Sequence, residues 1–275
     1  MNTKYIFLDI DGTLVDYDVK IPDSAILALK KAQENGHKII IASGRPLTKF
    51  YPQLLSSLKF DGLIASGGAC VIYQDKLVFK STIEGDDLLS AIDYFEKKDI
   101  KFILQASDNT YALSDFVDVV IPNMRSVGYS EDLIQSAYSN VVITDDPRKV
   151  SNVEKFSFFL SPLSPKEISK DLHGRFYVVD YSVGNIKQEL FFGEMTLSSV
   201  TKATAIEKLM NFANAPISDS IAIGDSGNDL EMIEFAGIGV AMGNSTEQIK
   251  NAADFITTDV DKNGIYNAFV KLGLI

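Results

Sequence analysis

Two carboxylates one residue apart close the first apolar run of the chain, Tyr5-Ile6-Phe7-Leu8-Asp9-Ile10-Asp11-Gly12-Thr13. Side chains alternate faces along a strand. If the extended path continues through Asp11, both carboxylates point the same way. Like charges held that close repel, so the pair calls for a cation or a shared proton. Two more polar clusters follow apolar runs: Ser43-Gly44-Arg45-Pro46 and Gly224-Asp225-Ser226-Gly227-Asn228-Asp229. Asp9, Asp11 and Asp225 offer the hard oxygen ligands that Mg²⁺ prefers. Ser43 supplies a hydroxyl, and Gly44 lets backbone approach a ligand. A helix opened by Pro46 turns its N-terminus toward an anion. Such a set suits a phosphate bridged to Mg²⁺.

Elements must bring these distant clusters together. Ile6–Leu8, Lys38–Ala42 and Asp61–Ala65 read as strands apolar on both faces. A helical pattern from Pro22 stops at Asn35-Gly36. A second helix-compatible stretch runs from Pro46 to about Leu58, with a break at Pro52. Late in the chain Ser220–Gly224, Gly237–Ala241 and Asp254–Ile256 resume the strand pattern. Doubly apolar strands separated by helices predict a parallel sheet covered on both sides, with ligands beyond its strand carboxyl ends.

The middle reads differently. An amphipathic helix over Asp86–Lys98 leads into strand-like runs at Lys101–Gln105, Val153–Leu160, Arg175–Asp180 and Ile186–Phe192. Helical patterns at Glu131–Tyr138 and Pro165–His173 are interleaved. The fold class expected is therefore α/β: a doubly wound, mainly parallel, Rossmann-like core sheet with an inserted α+β domain. Residues 1–83 and 192–275 form the core and 84–191 the insertion.

Composition narrows the function. A formal net charge of −11 argues against a general nucleic-acid or anionic-membrane surface. It leaves room for an anionic substrate, because a metal and a few basic groups reverse the potential locally. Cys70 is the one cysteine, so no intrachain disulfide forms, and a reducing, cytoplasmic setting is expected. Its apolar neighbours suggest a small buried residue. No apolar stretch reaches membrane-spanning length, and the first ten residues lack a signal-peptide layout. His37 and His173 lie beside glycines at helix ends and are expected at the surface.

The first cluster, the Ser43-Gly44-Arg45 turn, Lys202 at a helix start and the Gly224–Asp229 cluster resemble the four motifs of the haloacid dehalogenase superfamily, in the order and spread of its Cof-type phosphatases. The resemblance spans nearly the whole chain and implies a cap of the C2B type in the middle. It implies Asp9 as the nucleophile and Asp11 as general acid and base. Mg²⁺ would be held by Asp9, Asp225 and the Asp11 backbone carbonyl. Ile10 (through its amide), Ser43, Gly44, Lys202 and Asn228 would contact phosphate, with Asp229 behind Lys202 or a metal-bound water. Read alone, Asp11-Gly12 is also a common turn, Ser43 could cap a helix, and a lysine such as Lys202 is ordinarily solvated. Two departures stand out. Ala203 follows Lys202 where relatives place glycine, and Ser66-Gly67-Gly68 stands where relatives show Asn-Gly.

The activity expected is Mg²⁺-dependent hydrolysis of a small phosphorylated metabolite, a sugar phosphate or phosphorylated cofactor, by a monomer or weak homodimer. A phosphotransferase or mutase on the same core, or a non-catalytic phosphate sensor, is the alternative. The cap would act as a lid hinged near Glu84-Gly85 and Phe192-Gly193. Arg125, Lys155 and Lys187 are candidates for an anionic leaving group, or ordinary surface charges.

Overall fold

The computed structural model describes residues 2–16, 19–52, 54, 58–126, 131–138, 140–180 and 190–275. Contacts divide the chain into two units. One comprises Met1–Gly44, Phe50–Lys80 and Thr201–Ile275; the other comprises Arg45–Lys49 and Ser81–Val200.

The first unit is built on an eight-stranded sheet. Its first strands are β1 (Tyr5–Leu8), β2 (Lys38–Ala42) and β3 (Gly62–Ala65). β4 (Cys70–Tyr73) and β5 (Lys76–Lys80) form a hairpin. Late in the chain come β12 (Ser220–Gly224), β13 (Ile238–Ala241) and β14 (Phe255–Ile256). The order is β14-β13-β12-β1-β2-β3-β4-β5. β14 through β3 run parallel, and the β4–β5 hairpin adds antiparallel strands at one edge.

The chain grows outward from β1 through β2 and β3, then returns to β1's other side as β12. The strand order thus reverses between β1 and β12, where open α/β sheets make their ligand crevice. The register puts Leu8 level with Ile41 on one side and Ile223 on the other. Asp9, Ser43 and Asp225 therefore emerge from one rim.

Helices cover both faces, as doubly apolar strands require. On one face the helix Lys202–Phe212 lays Ala205, Ile206, Leu209 and Met210 against Phe7, Ile40, Ile64 and Ala222. Asp23–Glu34 and Gly264–Lys271 pack on each other.

Sequence and structure part in places. The β4–β5 hairpin has no glycine signal, because Gln74 and Asp75 make the turn with φ of 48° and 60°. The stretch after Pro46 begins as a 3₁₀ turn at Leu47–Lys49; residues 53 and 55–57 of the expected helix lie outside the described residues. His37 is a correction. It is 2% exposed, because its Nδ1 accepts the Lys4 backbone amide at 3.1 Å beside the start of β2. Burial, with the positive charges of the chain terminus and Lys4, holds its pKa below the usual value. His173 is exposed, as expected, and Cys70 is buried.

The second unit carries a six-stranded sheet. Its strands are β6 (Lys101–Ala106), β7 (Thr110–Ala112), β8 (Val141–Ile143), β9 (Val153–Ser161), β10 (Phe176–Asp180) and β11 (Phe191–Leu197). They lie in the order β10-β11-β9-β6-β7-β8, antiparallel except for β7–β8. Alternation along central β9 sorts its aromatic rings. Phe156 and Phe158 meet Phe95 of the helix Gly85–Lys97, while Phe159 meets Phe116 and Phe192 on the opposite face.

Phe192-Gly193, expected at a hinge and at the core boundary, lies inside β11, with Gly193 paired to β10 and β9 and Phe192 at a register shift against β9. Residues 192–200 therefore cluster with the second unit. Of the expected strand Ile186–Phe192, residues 186–189, Lys187 among them, lie outside the described residues. Lys155 is neither a surface charge nor an unengaged cation: it is 1% exposed and paired with Glu194. Arg125 pairs with exposed Glu131 at 2.5 Å.

Phe95 sits at the centre of four aromatic contacts, with ring centroids 5.5–5.8 Å from Tyr94, Phe102, Phe156 and Phe158. Phe95→Ala should destabilise the second unit by about 3–5 kcal/mol, read by urea unfolding; a change under about 1 kcal/mol would contradict this packing.

Candidate active site

Asp9 follows β1 directly and is 5% exposed, with its amide bonded to the Ile223 carbonyl at 3.1 Å. The chain then turns back sharply. The Ile10 carbonyl accepts from Leu14 and Val15 amides at 3.0 and 2.8 Å, and the Gly12 amide donates to Val15 at 2.8 Å. Gly12 is required in this turn. Its φ is +83°, and a Cβ there would lie 2.4 Å from Asp225 Oδ2. Thr13 completes the approach by donating its hydroxyl to Asp225 Oδ1 at 2.8 Å. The side chain of Asn244 braces the same turn, donating to the Gly12 carbonyl at 2.8 Å and accepting the Val260 amide at 2.9 Å.

Lys202 opens the helix Lys202–Phe212, N-capped by Thr201 through reciprocal bonds with Thr204. The helix dipole disfavours a cation at that end. Two carboxylates offset it: Lys202 Nζ lies 2.6 Å from Asp9 Oδ1 and 2.6 Å from Asp229 Oδ1. The lysine is 2% exposed. Both sequence departures find their explanation here. Ala203 lies inside the helix, where no turn needs glycine. Gly68, with φ +116°, takes the position where a Cβ would lie 2.3 Å from the Thr201 carbonyl. The small Ser66-Gly67-Gly68 turn thus admits the helix that delivers Lys202.

Asp229 is fully buried and fully used. Its Oδ1 holds Lys202, and its Oδ2 accepts the amides of Asp225 and Ser226, each at 3.0 Å. Gly224 makes that possible, since a Cβ there would lie 2.5 Å from the Asp229 carboxyl carbon. Asn228 Oδ1 accepts the Ser226 hydroxyl at 2.8 Å. Ser43 is 1% exposed at the end of β2, its backbone bonded to Ile64 and Gly67. Gly44 is buried beside it. Asp11 stands apart from the buried cluster, exposed, with Oδ1 accepting the Tyr51 hydroxyl at 2.8 Å.

Carboxylate oxygens of Asp9, Asp225 and Asp229 all lie within 4.8 Å of one another. Because both Asp229 oxygens are already engaged, Asp9 and Asp225 are the side chains left for a cation. Among the described residues, Lys202 is the ammonium that pairs with this cluster, on Asp9 and Asp229. Burial, then Asp229, pushes the Asp9 carboxyl well above its usual value, against the pull of Lys202. Burial and Asp229 raise Asp225 to about 7. Burial alone would lower Lys202, yet Asp229 and Asp9 more than offset it and keep the amine protonated. Hard oxygens, excess negative charge and carboxyls driven to take up protons fit a divalent cation such as Mg²⁺.

Sequence reasoning singled out the acids and the lysine. It assigned no role to Thr13, Gly68 or Asn244 and passed over Tyr51. Thr13 stands in the first motif, while Tyr51 carries no local signal.

Comparisons with known proteins agree with this architecture. The family model of haloacid dehalogenase-like hydrolases matches residues 6–269. YkrA of Bacillus subtilis is 29% identical over 276 residues, covering all of both chains. The 5-amino-6-(5-phospho-D-ribitylamino)uracil phosphatase YitU of the same organism is 27% identical, with 96% of each chain covered. The solved structure of the subclass IIB sugar phosphatase BT4131 superposes with a TM-score of 0.78 at 26% identity, covering 99% of this chain and 100% of that one.

The raised carboxyls have a measurable consequence. A carboxyl whose folded pKa lies above its unfolded value destabilises the fold as pH rises from about 4 through the folded value of about 7. Added Mg²⁺ should therefore raise the melting temperature more at pH 8 than at pH 5.5. An equal gain at both, by calorimetry, would count against the cluster as the cation site. With its Rossmann-like sheet reversing at β1 and β12 and its four motifs gathered at that rim, the chain belongs to the haloacid dehalogenase-like hydrolase family, in its Cof-type branch.

Proposed function

We propose that this enzyme is a Mg²⁺-dependent phosphatase of small phosphomonoesters, sugar phosphates or phosphorylated cofactors, acting through an aspartyl-phosphate on Asp9. The convergence of Asp9 and Asp225 on one buried locus, with Lys202 2.6 Å from Asp9, carries the reading. Two of the relatives act on such compounds by name, a sugar phosphatase and a phosphoribitylaminouracil phosphatase.

Asp9 Oδ1 is held by Lys202, which fixes the carboxylate plane and leaves Oδ2 to attack phosphorus. As the bond between phosphorus and the leaving oxygen breaks, Asp11 delivers a proton to that oxygen. Water then attacks the phosphorus of the acyl phosphate and gives a proton to Asp11. Inorganic phosphate departs and the Asp9 carboxylate is restored. Lys202, Ser43, the amide of Ile10, Gly44 and Asn228 oppose charge on the transferring group. Asp9, Asp225 and the Asp11 carbonyl would hold Mg²⁺, which when bound screens the nucleophile from the anionic substrate. Among the described residues no helix is long and apolar enough to cross a membrane. We place the enzyme in the cytoplasm, as a monomer or weak homodimer.

A phosphate-release screen over sugar, nucleotide and cofactor phosphates with Mg²⁺ should find turnover with at least one sugar or cofactor phosphate. Asp9→Asn should lower that turnover by at least about 10³-fold while the protein stays folded. Near-normal release by Asp9→Asn would remove the nucleophile assignment. An isomeric sugar phosphate in place of inorganic phosphate would mark a mutase.

A further inference from the structure

Three carboxylates at the site each meet a specific donor. Asp9 has Lys202 at 2.6 Å, Asp225 has Thr13 at 2.8 Å, and Asp11 has Tyr51 at 2.8 Å. The last pair differs in kind. Asp9 and Asp225 lie in the acidic cluster, held by Lys202 and by the Thr13 hydroxyl. Asp11 is exposed and follows no helix or strand. Its backbone is held by the turn around Ile10 and Val15. Its carboxyl torsion is set by its side-chain partners, Tyr51 among them.

Tyr51 is suited to hold that torsion. It is 8% exposed. It lines an open pocket of about 350 Å³ together with Val15, Lys20, Ile21, Ile26 and Leu54. A buried tyrosine ring leaves its hydroxyl as the polar tip that needs a partner. That tip reaches Asp11 Oδ1.

We propose that Tyr51 is a positioning residue for proton transfer, a step that rests on the phosphatase reading above. By donating to Oδ1 it orients the carboxyl group so that Oδ2 serves the substrate. In the first half-reaction the proton leaves Oδ2 for the leaving oxygen as its bond to phosphorus breaks. In the second, the same oxygen takes the proton of the attacking water. Tyr51 keeps its own proton throughout, so its contribution is orientation.

Leaving-group dependence separates orientation from mere packing. An alkoxide leaves poorly without a proton, whereas p-nitrophenolate leaves readily without one. The ratio kcat/KM reports only steps through formation of the phosphoenzyme and loss of the leaving group. Tyr51→Phe keeps the ring and removes the donor. It should lower kcat/KM for an alkyl phosphate, whichever sugar or glycerol phosphate the enzyme turns over, by about tenfold, a fraction of the usual worth of general acid catalysis. The loss on p-nitrophenyl phosphate should be several-fold smaller. Asp11→Asn should show the same asymmetry, larger. Equal fractional losses by Tyr51→Phe on both esters, or no loss on either, would overturn the assignment. Failure of the parent reading has its own signature, Asp9→Asn hydrolysing both esters like the wild type, and would remove both proposals together.

Discussion

A single buried ammonium shared by two buried carboxylates organises this molecule's chemistry. Lys202 bridges Asp9, at the end of β1, and Asp229, just past the end of β12. Removing charges from water costs several kcal/mol per ion, so such a group persists only when its partners are well placed and its remaining oxygens are bonded. Asp229 meets the second condition through the amides of Asp225 and Ser226. The arrangement leaves negative charge in excess around Asp9, Asp225 and Asp229, a set of oxygens that could hold a cation.

Glycine positions show how closely backbone must approach for this to work. Gly12, Gly224 and Gly68 each stand where a Cβ would lie 2.3–2.5 Å from Asp225, Asp229 or the Thr201 carbonyl. Two of these contacts are to carboxyl atoms of the site, and the third admits the helix that carries Lys202. Tight packing here brings separate chain segments together at one acidic cluster.

The second unit follows different physics. Its sheet is mostly antiparallel, with aromatic rings on both faces of β9 and a lysine–glutamate pair, Lys155 and Glu194, enclosed in it. Lys155 illustrates a limit of reading charge from sequence. A lysine in a strand flanked by Glu154 and Phe156 gives no sign of its cross-strand partner, because that partner sits on β11, distant in the chain.

What could be read from the residues alone was considerable. Doubly apolar runs ending in acids located the sheet, its parallel character and two carboxylates of the buried cluster, Asp9 and Asp225, because period-two burial and strand-end chemistry are local properties; Asp11, expected beside them, is exposed and stands apart. The β4–β5 hairpin escaped, since Gln74-Asp75 adopts left-handed backbone without the glycine that usually announces it. His37 escaped as well, because its burial depends on Lys4, 33 residues away. Tertiary structure alone decided the pairings: Lys202 with Asp9 across 193 positions, Thr13 with Asp225 across 212, and Tyr51 with Asp11 across 40. These follow from strand order, which sets β12 beside β1, and hydrogen bonding between distant segments leaves no periodicity in a sequence to be read.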